Sequence, residues 1–257
     1  MSYKQEKEVF VVEKHVGETP LECIERLRIE ADIARDIPMT YAGRLDPMAS
    51  GLLLVLVGEA CKNKEQYTAL DKVYEVDIVF GIDTDTHDVL GRIIHVQLPD
   101  ETIVDTITQT DFLQKYVGRL EQEYPAFSSK TIDGVALHTH ARLDTLPDTM
   151  PTKSVTIFSI EQIREGSLTK VTGEELAKNA IDKITLIHGD FRQADIIALW
   201  SRFAQDHAKD FFYKISISVS CSSGTYMRSI AKRIGSDLEV GAIATRIHRV
   251  TVGDFTL

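Results

Sequence analysis

Paired cysteines are missing from this chain of 257 residues. Its three thiols, Cys23, Cys61 and Cys221, stand far apart and make no Cys-x-x-Cys motif. Reduced, buried thiols in a cytoplasmic protein are therefore expected. No apolar run is long enough to cross a bilayer and the start carries no signal-peptide pattern, so no membrane association is expected. Glycine-rich phosphate loops and clusters of metal-ligating side chains do not stand out either. Positive charge is in short supply: 29 Lys and Arg face 39 Asp and Glu, for a formal net charge of -10. That balance argues against a general nucleic-acid binder, so any RNA contact must rest on a local basic patch. What is present is ordinary globular protein, 43% hydrophobic and 26% charged. The length suits one large domain, or one domain plus a lobe.

The richest stretch is Tyr41-Ala-Gly-Arg-Leu-Asp-Pro-Met-Ala-Ser-Gly51, followed by the apolar run Leu52 to Val57 and Gly58. The run reads as a buried strand. Pro47 fixes the backbone directly after Asp46, which places that carboxylate on a tight loop at the core's edge. A carboxylate there stays ionised only if a partner or water reaches it. Two roles fit the stretch read alone: Asp46 carries chemistry from a scaffolded loop, or it caps a helix or closes a turn.

Along the chain, Glu8 to Val12 reads as a strand. Thr19-Pro20-Leu21-Glu22 is a capping box with proline at the first helical position, opening a helix to about Ala34. Lys14 could meet a phosphate or be a solvated strand-end lysine. Glu59 to Asp71 reads as a helix. In Val73 to Phe80, apolar Tyr74, Val76, Ile78 and Phe80 alternate with wet Glu75 and Asp77. The Tyr74 ring could stack on a base or fill core. Gly81 to Asp88 fails as a calcium loop, since it lacks the sixth-position glycine and the twelfth-position glutamate. It reads as a polar turn returning into a strand at Gly91 to Val96.

A helix is expected over Asp111 to Leu120, irregular chain over Glu123 to Gly134 and a strand over Val155 to Ile160. His138 and His140, placed on a strand, would share a face but lack a third ligand, so no metal is expected. Residues 161–211, with mixed charge and the single Trp200, read as an inserted helical lobe without chemistry. Ile215 to Cys221 alternates as a strand. Ser222-Ser-Gly-Thr225 is a turn into a helix from Met227 that Gly235 stops. Arg228 sits in that helix's first turn, where the dipole opposes a cation, so a carboxylate partner is expected. Lys232, Arg233, Arg246, His248 and Arg249 form the most basic concentration in the chain.

Taken together, these blocks resemble the pseudouridine synthases. Tyr41 to Leu54 resembles their catalytic motif. Lys72-Val-Tyr74, Gly81 through Thr84-Asp-Thr-His-Asp88 to Gly91, and Cys221-Ser-Ser-Gly-Thr-Tyr-Met-Arg228 resemble the TruB branch, which modifies uridine 55 in the TΨC loop of tRNA. Lys14 to Thr19 and Gly241 to Phe255 fit as well. The likeness covers roughly residues 8–158 and 212–255, in one order and at compatible spacings.

The resemblance implies an α/β (α+β) fold: a mixed, largely antiparallel sheet with flanking helices. Residues 1–160 and 212–257 would form the catalytic domain and residues 161–211 a helical insertion. It implies that Asp46 is the nucleophile, that Tyr74 stacks on the target base and that Arg228 pairs with Asp46, best through a two-point fork. Tyr226 and Ile247 would line the uridine pocket, with Asp88 near the flipped base. Tyr41, Arg44 and Arg249 are further candidates for RNA contact. The reaction it implies needs no cofactor and no metal. The implied partner is the TΨC stem-loop of tRNA, and a monomer is expected.

Departures are visible. Tyr41 stands where the family usually has histidine. Arg44-Leu-Asp46 with Ser50-Gly51 also resembles sister branches that act on ribosomal RNA. Tyr124-Pro125 replaces paired prolines, and Lys130 lies one place from an expected lysine position at Thr131. The small C-terminal RNA-binding (PUA) domain of many relatives is expected to be missing. Two alternatives remain at this level: a synthase for another RNA site such as ribosomal RNA, and an RNA-binding or RNA-refolding protein that does no chemistry.

Overall fold

The structure, a computed structural model, describes residues 3–6, 8–109, 111–163 and 168–257. Among the described residues the strands form one large mixed sheet and two small hairpins. The large sheet runs in the order Tyr3–Glu6, Val9–Lys14, Ser50–Val57, Ala242–Val252, Lys72–Phe80, Phe211–Cys221, Thr152–Gln162, Gly118–Glu123. Every neighbouring pair along this path is antiparallel except Ser50–Val57 with Ala242–Val252, which run parallel. The apolar run from Leu52 is buried throughout, as continuous hydrophobicity requires of a strand covered on both faces. Lys72–Phe80 keeps its alternation, with Tyr74, Val76 and Ile78 buried and Glu75 and Asp77 half-exposed.

The capping box forms as the residues dictate: Glu22 N–H donates to the Thr19 hydroxyl and Thr19 N–H to the Glu22 carboxylate. The Pro20–Glu30 helix stops earlier than the expected Ala34, because Asp32 turns left-handed at φ 50°. The expected 59–71 helix divides into a 3-10 segment, Gly58–Asn63, and a short α-helix, Lys64–Ala69.

Two expectations are corrected. Asp111 to Leu120 is not a helix. Phe112, Leu113 and Tyr116 are buried at helix-like spacing, but only Gln114–Tyr116 winds, as 3-10 helix. Gly118, at φ 108°, then turns the chain into the Gly118–Glu123 strand. The helix of this region is Glu101–Thr108 instead, capped by Asp100, whose carboxylate accepts from Ile103 N–H. Gly235 does not end its helix, which runs Met227–Asp237. A side chain at Gly235 would lie 2.3 Å from the backbone nitrogen of Ala242, so the glycine is there to seat the helix on the sheet.

Within residues 161–211, a strand Thr169–Thr172 adds to Phe211–Cys221, and helices Gly173–Thr185 and Gln193–Asp206 follow. Residues 164–167 of the expected insertion lie outside the described residues. Leu176, Ala180, Ile184, Ile196, Trp200 and Phe203 share one apolar cluster with Val76, Ile78, Phe80, Ile215 and Ile217 of the central strands. Two smaller clusters cover the faces of the Val9–Lys14 and Ser50–Val57 strands. Cys23 and Cys221 are buried, Cys61 is half-buried, and all three are free thiols. Among the described residues no helix is long and apolar enough to cross a membrane.

Candidate active site

The Asp46 loop is held from four directions. Leu45 and Met48 bury their side chains beneath it. Ala49 N–H donates to the Asp46 carbonyl at 3.0 Å, closing the turn that Pro47 begins. Gly17 N–H donates to the Pro47 carbonyl at 2.9 Å. Lys14 is neither solvated nor aimed at a phosphate: it is fully buried, and its Nζ donates to the carbonyls of Ala49 (2.6 Å) and His15 (2.9 Å). Burial pushes its pKa down to about 8, against the pull of Glu18 and other nearby anionic groups.

Parallel pairing of His248 and Arg249 with Ser50 and Gly51 places the last long strand beside the loop. Gly51 is indispensable there. It holds φ 101°, and a side chain would lie 2.3 Å from the Arg249 carbonyl oxygen. Arg249 is 1% exposed and donates Nε to the Leu52 carbonyl (2.7 Å) and Nη2 to the Gly43 carbonyl (3.1 Å). Of the basic concentration read in the sequence, Arg249 is interior, while Arg246 and Lys232 stay partly exposed, Arg246 3.0 Å from Glu75 and Lys232 3.8 Å from Glu123.

Opposite the loop, the Met227–Asp237 helix begins at Tyr226. Gln122, buried on the Gly118–Glu123 strand, fixes that start with two bonds: Tyr226 N–H donates to its Oε1 (2.8 Å), and its Nε2 donates to the Tyr226 carbonyl (3.1 Å). Arg228 follows, its side chain 3% exposed. Its Nε donates to Asp46 Oδ2 at 2.7 Å, and Asp88 Oδ2 lies 3.5 Å from the same nitrogen. The two-point fork is not formed, because Nη1 donates to the Thr86 carbonyl (2.9 Å) and Nη2 to the Phe127 carbonyl (3.4 Å). Asp46 Oδ1 is thereby left without a protein donor among the described residues.

Burial opposes the charge on Arg228, but Asp46 and Asp88 together raise its pKa above the ordinary arginine value. Asp88 is buried too, and burial pushes it up to about 6, while Arg228 and the Thr86 hydroxyl (2.6 Å from Oδ1) pull it back. A guanidinium buried this completely, with each of its three nitrogens donating to a different partner, is held in one orientation.

Asp46, Arg228, Asp88, Tyr74, Tyr226, Ile247, Arg249 and Arg44 all line a single cavity of about 510 Å³. Arg44 is exposed at this cavity. Tyr74 is 7% exposed, and burial raises its phenol pKa against the pull of Arg249, its cross-strand neighbour. Tyr226 meets Tyr124 edge to face, with ring centroids 5.8 Å apart. Tyr41 is not among the lining residues. It pairs with Val55 in the sheet, half-buried, with Lys64 Nζ 5.1 Å from its ring centroid. His138 and His140 lie on the helix Leu137–Arg142, not on a strand, and bond separately to the Ser128 carbonyl and the Thr145 hydroxyl. Among the described residues no three His, Cys, Asp or Glu side chains are grouped to hold a metal ion.

Sequence reasoning missed Gln122, Thr86 and Phe127 as supports of the pair, and it missed that Phe191 and Arg192 of the expected insertion also line the cavity. The supports act largely through backbone carbonyls or one amide, so no residue-type signal betrays them. A further signal was available at Asp190-Phe-Arg192, where an aromatic and a cation adjoin.

The chain is 28% identical to tRNA pseudouridine synthase B of Bifidobacterium longum subsp. infantis, over 97% of this chain and 64% of that protein. It is 26% identical to the protein of the same name from Trichormus variabilis, over 96% and 67%, and 28% identical to that of Bordetella pertussis, over 97% and 82%. The chain thus spans about two thirds of the length of the first two relatives. In fold, it resembles a chain in the crystal structure of a Cbf5-Nop10-Gar1 complex (TM-score 0.54, 17% identity, 96% of this chain and 49% of that one). It also resembles a chain in the structure of an H/ACA RNP bound to a substrate RNA containing 2'-deoxyuridine (TM-score 0.52, 16% identity, 96% and 48%). The model of the TruB family pseudouridylate synthase N-terminal domain matches residues 37–167, just over half of the sequence, and the chain belongs to that family.

Proposed function

We propose that this protein isomerises uridine to pseudouridine in tRNA, at position 55 of the TΨC loop, with Asp46 as the catalytic carboxylate. The observation that carries the reading is the contact between Asp46 and the buried Arg228 at 2.7 Å, at a cavity that Tyr74, Tyr226 and Ile247 also line.

The chemistry is an exchange of bonds within one nucleotide. The N1–C1' bond breaks and a C5–C1' bond forms; C5 gives up a proton and N1 gains one. Nothing is oxidised and no group leaves the molecule. The carboxylate must be anionic, whether it attacks C1' or C6 or removes a ribose proton. Arg228 holds Oδ2 at 2.7 Å, which leaves Oδ1 for the substrate. The target base must first leave its stack, at a cost of a few kcal/mol. Stacking on an aromatic face returns roughly 1–3 kcal/mol, and we assign that role to Tyr74, which lines the cavity. A cavity of about 510 Å³ suits one nucleotide rather than a duplex.

The test is Asp46→Asn, which keeps shape and removes charge. Pseudouridine formation on tRNA is expected to vanish while tRNA affinity stays within a few-fold. Wild-type protein that forms no pseudouridine in any tRNA sinks the reading, and modification of ribosomal RNA fragments but not of a TΨC stem-loop moves the substrate.

A further inference from the structure

The Gln193–Asp206 helix grips one loop of the cavity at three points. Trp200, fully buried, donates its indole N–H to the Val89 carbonyl at 3.1 Å. Asp195 accepts from Arg92 at 2.7 Å on the exposed side. Arg192, the residue just before the helix, closes a two-point fork on Asp85, with Nη1 at 2.6 Å from Oδ2 and Nη2 at 3.2 Å from Oδ1. These contacts bracket Asp88.

Arg192 makes one more contact. Its guanidinium carbon lies 4.2 Å from the centroid of the Phe127 ring. The residue holds φ 61°, a left-handed backbone that favours glycine. An arginine kept in that conformation is accounted for by what its side chain does. A fork on a carboxylate combined with stacking on a ring is a task lysine performs poorly.

The two segments joined by Arg192 are the ones that fix Arg228. Thr86, next to Asp85, supplies the carbonyl for Nη1, and Phe127 supplies the carbonyl for Nη2. A path of direct contacts therefore runs from Arg192 through Asp85 and Phe127 to Arg228 and on to Asp46. We propose that Arg192 is a positioning residue for the Asp46–Arg228 pair, so that the 161–211 segment holds part of the reaction centre rather than standing apart from it. The inference rests on the functional reading above.

Kinetics and amide exchange test it separately. Arg192→Ala is expected to lower kcat on tRNA by on the order of tenfold to a hundredfold with KM little changed, as for small misplacements of reacting groups. Arg192→Lys should fall between. Asp85→Asn should match Arg192→Ala, and the double variant should be no worse than either. Lys178→Gln, which removes only an exposed pair with Asp182 in the same segment, should behave as wild type.

Hydrogen exchange needs no activity: amides of Thr86 to Leu90 and Phe127 to Ser129 should exchange faster in Arg192→Ala, or in Arg192→Lys if the alanine variant does not fold. Unchanged kcat with an active wild type overturns the proposal. A raised KM at constant kcat also overturns it, and assigns Arg192 to direct RNA contact. Exchange unchanged in both segments overturns it whatever the activity. Inactive wild-type protein with faster exchange in the variant retains the clamp and removes the tRNA reading.

Discussion

Arg228 has more carboxylate near it than one guanidinium needs. Asp46 takes its Nε, and Asp88 stands 3.5 Å from the same atom with a pKa pushed up to about 6 by burial. The ordinary value of that carboxyl is 3.8, so between 3.8 and about 6 the folded protein holds a proton that the unfolded chain has lost. Its contribution to stability is full below 3.8 and is lost as pH rises through about 6. Activity should run the other way. Above about pH 6 Asp88 is anionic and adds a second negative charge beside Arg228. We expect kcat to rise through an apparent pKa near 6 and then level, and Asp88→Asn to abolish that acid limb. The same limb persisting in Asp88→Asn would assign it to another group. Tyr74 gives the second residue-scale prediction. Tyr74→Phe keeps the ring and should stay near wild type. Tyr74→Leu loses the stack and should lower kcat/KM about tenfold to a hundredfold, matching roughly 1–3 kcal/mol. Equal rates for all three proteins would contradict the stacking role.

At the scale of elements, the site depends on how closely the last helix and last strand approach their neighbours. Gly235 lies inside the Met227–Asp237 helix, where exchange for alanine ordinarily stabilises by about 1 kcal/mol. Here the added methyl would meet Ala242 N at 2.3 Å and Gly241 C at 2.5 Å, both backbone atoms that cannot swing away. Overpacking of that kind costs roughly 1–3 kcal/mol, so the sign reverses. Gly235→Ala is expected to lower the melting temperature, as read by circular dichroism. Because the helix carries Arg228, it should lower kcat as well. A stabilised variant would show that helix and strand have room to separate.

At the scale of the whole molecule, among the described residues the helices of residues 161–211 share their apolar core with the sheet. Their buried stripe and the central strands form one cluster, with Trp200 within it. Unfolding of the segment should therefore expose the core of the sheet at once. We expect the fluorescence of the single Trp200 and the far-ultraviolet circular dichroism to change at the same denaturant concentration. An earlier fluorescence transition would mean that the segment melts alone. The charge balance also acts at this scale. In a chain of net charge -10, Arg249, Lys14 and Arg228 are interior, so these three cations add nothing to the positive surface.

Local order was written in the sequence. The capping box at Thr19 and Glu22, the buried run from Leu52 and the alternation from Val73 and from Ile215 are decided between near neighbours, and they form. The need of Arg228 for a carboxylate was also legible, since a cation at a helix start is unfavourable on its own. Where local signals conflict, tertiary packing decided. Buried Phe112, Leu113 and Tyr116 mimic a helix that Gly118 does not allow, and Gly235 looks like a stop signal but is a packing surface. Tertiary structure alone also decided which basic groups are interior and which carbonyls hold Arg228. A lysine or arginine reads the same in sequence whether it faces water or a carbonyl, and every residue contributes a carbonyl. Only the folded chain brings Asp46, Thr86, Phe127 and Arg192 within reach of one another, across gaps in sequence that no periodicity spans.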